Sequence, residues 1–215
     1  MGQDAQGPDK ALIVVDMQHD FMPGGALPVA EGDTIIDGVN ACIEKFFAGG
    51  SIVVMTQDWH PEGHGSFAST HPGMNPYDSY EIELGLGPVL WPDHCIQGSL
   101  GAEIHERINV SRAHLVLRKG YHKAIDSYSA FLENDKQTRT GLAGYLKDIG
   151  VREILVCGLA LDYCVYYTAL DGVAEGFTTT VFTDLSRGVG APAGRVDEVL
   201  EILVESGVRL ERFLD

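Results

Sequence analysis

Six short apolar runs, set apart by helical patterns and one long irregular stretch, restrict this chain to a small group of folds. They span residues 11–15, 52–55, 114–117, 154–156, 178–182 and 208–210. Runs this short and rich in Val and Ile read as strands buried on both faces of a parallel sheet. Helical spacing lies between them. Residues 34–47 place apolar side chains at 35, 36, 39, 43, 46 and 47, with Asp33 as the expected N-cap and Gly49-Gly50 at the end. Three further helices are expected: 140–149 from a Thr140 cap, 163–174 after Asp162, and 192–205 with a proline in its first turn. Strands alternating with helices predict an α/β fold: one doubly wound, mostly parallel sheet flanked by helices.

At 215 residues the chain suits one large domain better than two small ones. The expected organisation is a polar tail over 1–10 and a single domain over 11–215. Residues 60–100 break the alternation and are rich in Gly, Pro, His and Ser. A long irregular stretch inside a compact domain points to function, and this one reads as a metal-binding and substrate-loop insertion.

A formal net charge of −16 argues against nucleic acid. No basic amphipathic stretch suits a membrane surface, and no run approaches the ~18 apolar residues of a spanning helix. The first ten residues lack a signal-peptide core, and cytoplasmic localisation is the expectation. Cys42, Cys95, Cys157 and Cys164 form no CxxC and no disulfide framework, which suits a reducing compartment. Gly188, Gly190 and Gly194 have the spacing GxGxxxG, which misses the dinucleotide fingerprint.

In open α/β sheets, ligands bind beyond the carboxyl ends of the strands. Asp16 stands at the first such end, Asp58 and His60 at the second, Lys119 at the third, and the run from Gly158 to Cys164 follows the fourth. Cys164 falls in the first turn of an expected helix, where the macrodipole and free N–H groups favour a thiolate and an oxyanion. Asp16 could take the thiol proton and return it to a leaving amine, and Lys119 could hold the charges. Together the three suit acyl transfer. Taken singly, each has a plainer role, as a cap, a solvated charge or a core thiol.

Asp58-x-His60 is a metal-type pair, with His94 as a third ligand and His64 as a fourth. Zinc suits carboxylate and imidazole best, with manganese and iron as alternatives. His71, His105, His114 and His122 read as surface or structural residues, and Cys95 as buried.

At this point several strings match a known family. They are Val15-Asp16-Met17-Gln18-His19-Asp20-Phe21, Gly24-Gly25-Ala26-Leu27, Gln57-Asp58-Trp59-His60-Pro61 and His64-Gly65-Ser66-Phe67-Ala68, followed by Trp91-Pro92-Asp93-His94-Cys95, Lys119-Gly120 and Asp126-Ser127-Tyr128-Ser129-Ala130-Phe131. The last is Gly158-Leu159-Ala160-Leu161-Asp162-Tyr163-Cys164-Val165. The chain resembles the nicotinamidases, within the isochorismatase-like cysteine hydrolases, over residues 10–210.

The resemblance implies hydrolysis of nicotinamide to nicotinate and ammonia through a cysteine thioester, in NAD salvage, with pyrazinamide as a further substrate. It implies Asp16, Lys119 and Cys164 as the catalytic triad, and Asp58, His60 and His94 as ligands of a divalent metal facing the pyridine nitrogen. His64 falls where members vary in the fourth contact. A cis peptide is implied before Ala160, with the N–H groups of Ala160 and Cys164 as the oxyanion hole. Phe21, Trp91 and Tyr128 match positions that sandwich the ring. The only partner implied is the small-molecule substrate, and a homo-oligomer is compatible. Leu161 and residues 121–125 depart from the family pattern. One alternative is a related hydrolase acting on N-carbamoyl or ureido compounds, and another is a non-catalytic protein on the same fold.

Overall fold

The structure is a computed structural model that describes residues 8–80 and 85–213. Residues 1–7 of the expected tail, 81–84 of the insertion and 214–215 lie outside the described residues. The strands are β1 (Lys10–Val15), β2 (Ile52–Asp58), β3 (Leu115–Lys119), β4 (Glu153–Leu159), β5 (Thr178–Arg187) and β6 (Arg209–Glu211). They form one sheet of order β3-β2-β1-β4-β5-β6 in which every pair is parallel. The helices are α1 (Ile36–Ala48), α2 (Leu142–Asp148), α3 (Tyr166–Ala174) and α4 (Arg195–Glu205). Strand order reverses between β1 and β4. Their carboxyl ends therefore border the crevice in which doubly wound sheets bind ligands.

Central strands are buried as expected. Leu12, Ile13, Val14 and Val15 on β1, and Val53, Val54 and Met55 on β2, are almost fully covered. Each such side chain contributes about 1.5–3 kcal/mol of burial. The edge strand β3 departs from expectation: its residues alternate between half-buried and exposed until Lys119, which is fully buried. An edge strand has one neighbour, so alternate side chains meet water. α1 buries Ile36, Val39, Cys42 and Ile43, the stripe that helical spacing requires. Among the described residues no helix is long and apolar enough to cross a membrane.

Local corrections concern the strand and helix ends. β2 continues to Asp58 and β5 to Arg187, past the apolar runs that announced them. Asp33 lies in a 3-10 turn (Gly32–Ile35) ahead of α1 and does not cap it. Thr140 Oγ1 does accept the Leu142 N–H, at 3.2 Å. The expected helix start at 163 is a π-type turn over Leu161–Val165, with regular helix only from Tyr166. Asp162 is not its N-cap; its carboxylate instead accepts the N–H groups of Val189 and Gly190 at 2.9 and 2.8 Å. The Leu159–Ala160 peptide is cis.

Candidate active site

Asp16 follows β1, Asp58 ends β2 and Lys119 ends β3, directly opposite Asp58 in the ladder. Parallel register thus delivers both carboxylates and the amine to one sheet edge. Lys119 Nζ lies 2.8 Å from Asp16 Oδ2 and 2.5 Å from Asp58 Oδ1. It donates to the Ser127 carbonyl at 2.9 Å and approaches Cys164 Sγ at 3.5 Å. A fully buried ammonium is tolerated only because two carboxylates surround it. Thr56 donates to Asp16 Oδ1 at 2.6 Å, and Gln18 brackets the Asp58 backbone with two 2.8 Å bonds.

These surroundings pull the two carboxyls apart. Burial pushes Asp58 up, but Lys119 and His60 outweigh it and hold Asp58 well below the usual carboxylate range. Burial wins at Asp16, and the nearby Asp58 charge adds to it, so the Asp16 carboxyl sits above its ordinary value. Its Oδ2 has no aligned hydrogen-bond donor, so the contact with Lys119 is ionic, and an Asp16 carboxylate oxygen lies within 4.8 Å of the Cys164 sulfur. An environment that separates two carboxyls in this way suits them to different tasks, Asp16 to proton transfer and Asp58 to a lasting charge. Lys119 is held well above its usual value, because Asp16 and Asp58 overcome its burial.

Cys164 corrects one expectation. The helix start was to ease thiolate formation, yet burial, reinforced by Asp16 and opposed by Lys119, pushes the thiol well above its ordinary value. The sulfur lies in the π-type turn and is 5% exposed, so desolvation outweighs the dipole. The raised value favours a thiol over a thiolate beside the Asp16 carboxyl.

Asp58 Oδ2 lies 3.7 Å from His60 Nε2 and 3.9 Å from His94 Nε2. Each ring's Nδ1 is held by a backbone carbonyl, Gly120 O for His60 and Pro92 O for His94, both at 2.8 Å. Those bonds place a proton on each Nδ1 and leave each Nε2 on the side of Asp58. One carboxylate and two imidazoles converging this way fit a divalent metal. His94 is held at about 4 by burial and by His60, which favours its neutral, ligating form.

His64 is placed behind the His60 ring, with centroids 4.3 Å apart. Its Nδ1 meets Ser66 Oγ at 2.8 Å, and its Nε2 meets the carbonyls of His122 and Ile125 at 3.0 and 3.2 Å. Both nitrogens are thus engaged away from Asp58, and His64 groups instead with His60 and Asp126. The unfamiliar 121–125 segment supplies those two carbonyls.

Gly120 has φ +68°, and a Cβ there would lie 2.5 Å from His60 Cε1 and 2.8 Å from Nδ1. Gly120→Ala is expected to displace His60 and to lower metal affinity about 10–100-fold, with the fold retained. Metal titration alongside circular dichroism checks this.

A cavity opens onto Cys164, Asp58 and His94 and is walled by Phe21, Trp91, Tyr128, Tyr163, Leu27, Val189, Asp126 and Ala160. Trp91 Nε1 donates to the Tyr128 hydroxyl at 3.0 Å, and the Tyr163 ring packs edge-on against Trp91 at 4.7 Å. The three expected ring-binding residues are therefore brought together beside the thiol. Sequence reasoning overlooked Tyr163, Thr56, Asp126 and the three carbonyls at Pro92, Gly120 and Ser127. Thr56 could have been found, because it shares a strand face with Asp58 two residues on. Backbone carbonyls leave no side-chain signal.

The isochorismatase domain family matches residues 10–197. The chain is 45% identical to a nicotinamidase of Acinetobacter baylyi over 93% of this chain and 90% of that protein. A nicotinamidase/pyrazinamidase structure from Acinetobacter baumanii superposes with a TM-score of 0.90 at 45% identity, covering 98% of each chain. A pyrazinamidase of Pyrococcus horikoshii, solved in complex with zinc, superposes with a TM-score of 0.75 at 37% identity, covering 96% of this chain and all of that one.

Proposed function

The chain belongs to the isochorismatase family, and from that premise we propose that it hydrolyses nicotinamide to nicotinate and ammonia through a thioester on Cys164. The single observation that carries this is the Lys119 ammonium. It reaches Asp16, Asp58 and Cys164 at once, and so joins a thiol, its proton acceptor and a metal-type ligand set in one buried cluster.

Asp16 removes the Cys164 proton as the sulfur attacks the amide carbon and the S–C bond forms. The N–H groups of Ala160 and Cys164 hold the oxyanion. Collapse breaks the C–N bond, and Asp16 passes its proton to the departing ammonia. Asp16 then takes a proton from water as it attacks the thioester, which releases nicotinate and restores the thiol. Lys119 opposes the effect of burial on Asp16. Phe21, Trp91 and Tyr128 enclose the pyridine ring. A divalent metal on Asp58, His60 and His94, with zinc first among the candidates, would supply a Lewis-acid contact that orients the ring nitrogen. Pyrazinamide, with the same ring shape and amide, is a second substrate, and the reaction returns nicotinate to NAD synthesis.

An ammonia-release assay on nicotinamide tests this. Chelation is expected to reduce turnover at low nicotinamide to background, and zinc to restore it. A metal-free protein that prefers N-carbamoyl or ureido compounds in the same assay would favour the alternative hydrolase.

A further inference from the structure

His105, which the sequence reads as a surface or structural residue, is brought by the fold against His19 and Glu106. The Gln18–Ile104 bridge sets this contact, together with the bonds from His19 N–H to Glu103 O and from His105 N–H to Met17 O. The two imidazole rings lie 4.8 Å apart at 33°. His19 Nε2 is 3.1 Å and His105 Nδ1 is 3.6 Å from the same atom, Glu106 Oε2.

We propose that His19, His105 and Glu106 form a second, outer binding site for a late-transition divalent cation such as Zn²⁺. A tetrahedral ion with ligand bonds of 2.0–2.1 Å has ligand–ligand edges of about 3.3 Å. The observed 3.1 and 3.6 Å straddle that length, whereas the corresponding separations at Asp58 are 3.7 and 3.9 Å. All three ligand atoms lie within 4.8 Å of one another. The Glu106 side chain is 71% exposed, which gives the ion a path from water and leaves the fourth position to solvent. The competing group at His105 Nδ1 is the Arg107 N–H at 3.2 Å, while the Arg107 side chain is turned to Asp37 at 2.7 Å. Two imidazoles and one carboxylate select Zn²⁺, Ni²⁺ or Cu²⁺ over Mg²⁺ or Ca²⁺.

An ion here would clasp the turn that follows β1 to residues 103–106. That turn also carries Phe21, a wall of the substrate cavity. The outer cation is therefore placed to stiffen one side of the cavity without touching the reacting atoms.

Equilibrium dialysis against Zn²⁺, with metal analysis of the folded protein, tests the site. Wild type and His94→Ala are expected to hold an outer equivalent that the His19→Ala/His105→Ala double variant loses. Glu106→Ala, at an exposed position, decides the matter if the double variant does not fold. Loss in either folded variant supports the site. Retention in both, or no outer equivalent in wild type, overturns it. His94→Ala reports on the inner ligand set separately, so failure there is distinguishable from failure here.

Discussion

Replacing Cys164 with alanine is expected to lower kcat for nicotinamide by about 10⁴-fold or more, with metal content and nicotinate binding retained. The size follows from the chemistry: without the sulfur no thioester forms, and nothing else in the cavity can replace it. Among the described residues, Cys164 is the one thiol in contact with Lys119. Cys42, Cys95 and Cys157 are buried in the core. The ring-binding wall and the Asp58, His60 and His94 cluster do not depend on the thiol, so binding should survive. Steady-state kinetics paired with a nicotinate titration separates the two effects. A fall in binding equal to the fall in kcat would instead indicate a collapsed cavity.

Lys119→Met is expected to act on both stability and turnover. The methionine fills similar volume but removes the ammonium that lies between Asp16 and Asp58 in the core. Breaking a buried ion pair from one side costs about 3–5 kcal/mol. The pH dependence has a definite sign. In wild type the Asp58 carboxyl is depressed, so its contribution is present at neutral pH and is lost as pH falls through the acid range. In the variant Asp16, already raised by burial and by Asp58, loses the charge that opposes them and rises further. Its penalty is absent at low pH and appears as pH rises through the new folded value. The stability gap between the two proteins should narrow as pH falls from 7 toward 4. Urea denaturation at several pH values measures it, and a gap independent of pH would remove the carboxylates from the account. Turnover should fall with it, because Asp16 without Lys119 holds a proton and cannot accept another.

Much of this site was legible because parallel strands end in register. Asp16, Asp58 and Lys119 each close an apolar run, and a doubly wound sheet has one edge for all three. Cys164 was legible from its place after β4, but its protonation was not. A helix start suggested an easy thiolate, whereas the π-type turn buries the sulfur, and desolvation depends on packing that no local pattern records. Asp33 and Asp162 failed as helix caps for a related reason. Both have cap-forming chemistry, but tertiary contacts with the 189–190 loop claim Asp162 and an extra 3-10 turn displaces Asp33. His19 and His105 lie 86 positions apart, and the Gln18–Ile104 bridge with its flanking backbone bonds makes them neighbours.

The most direct measurement is acid quenching of the enzyme during its first turnover of nicotinamide, followed by mass analysis of the peptide that carries Cys164. The account predicts a mass gain of one nicotinoyl group on that cysteine, formed as fast as ammonia appears and absent from Cys164→Ala. Ammonia released at the wild-type rate with Cys164 unmodified throughout would contradict it.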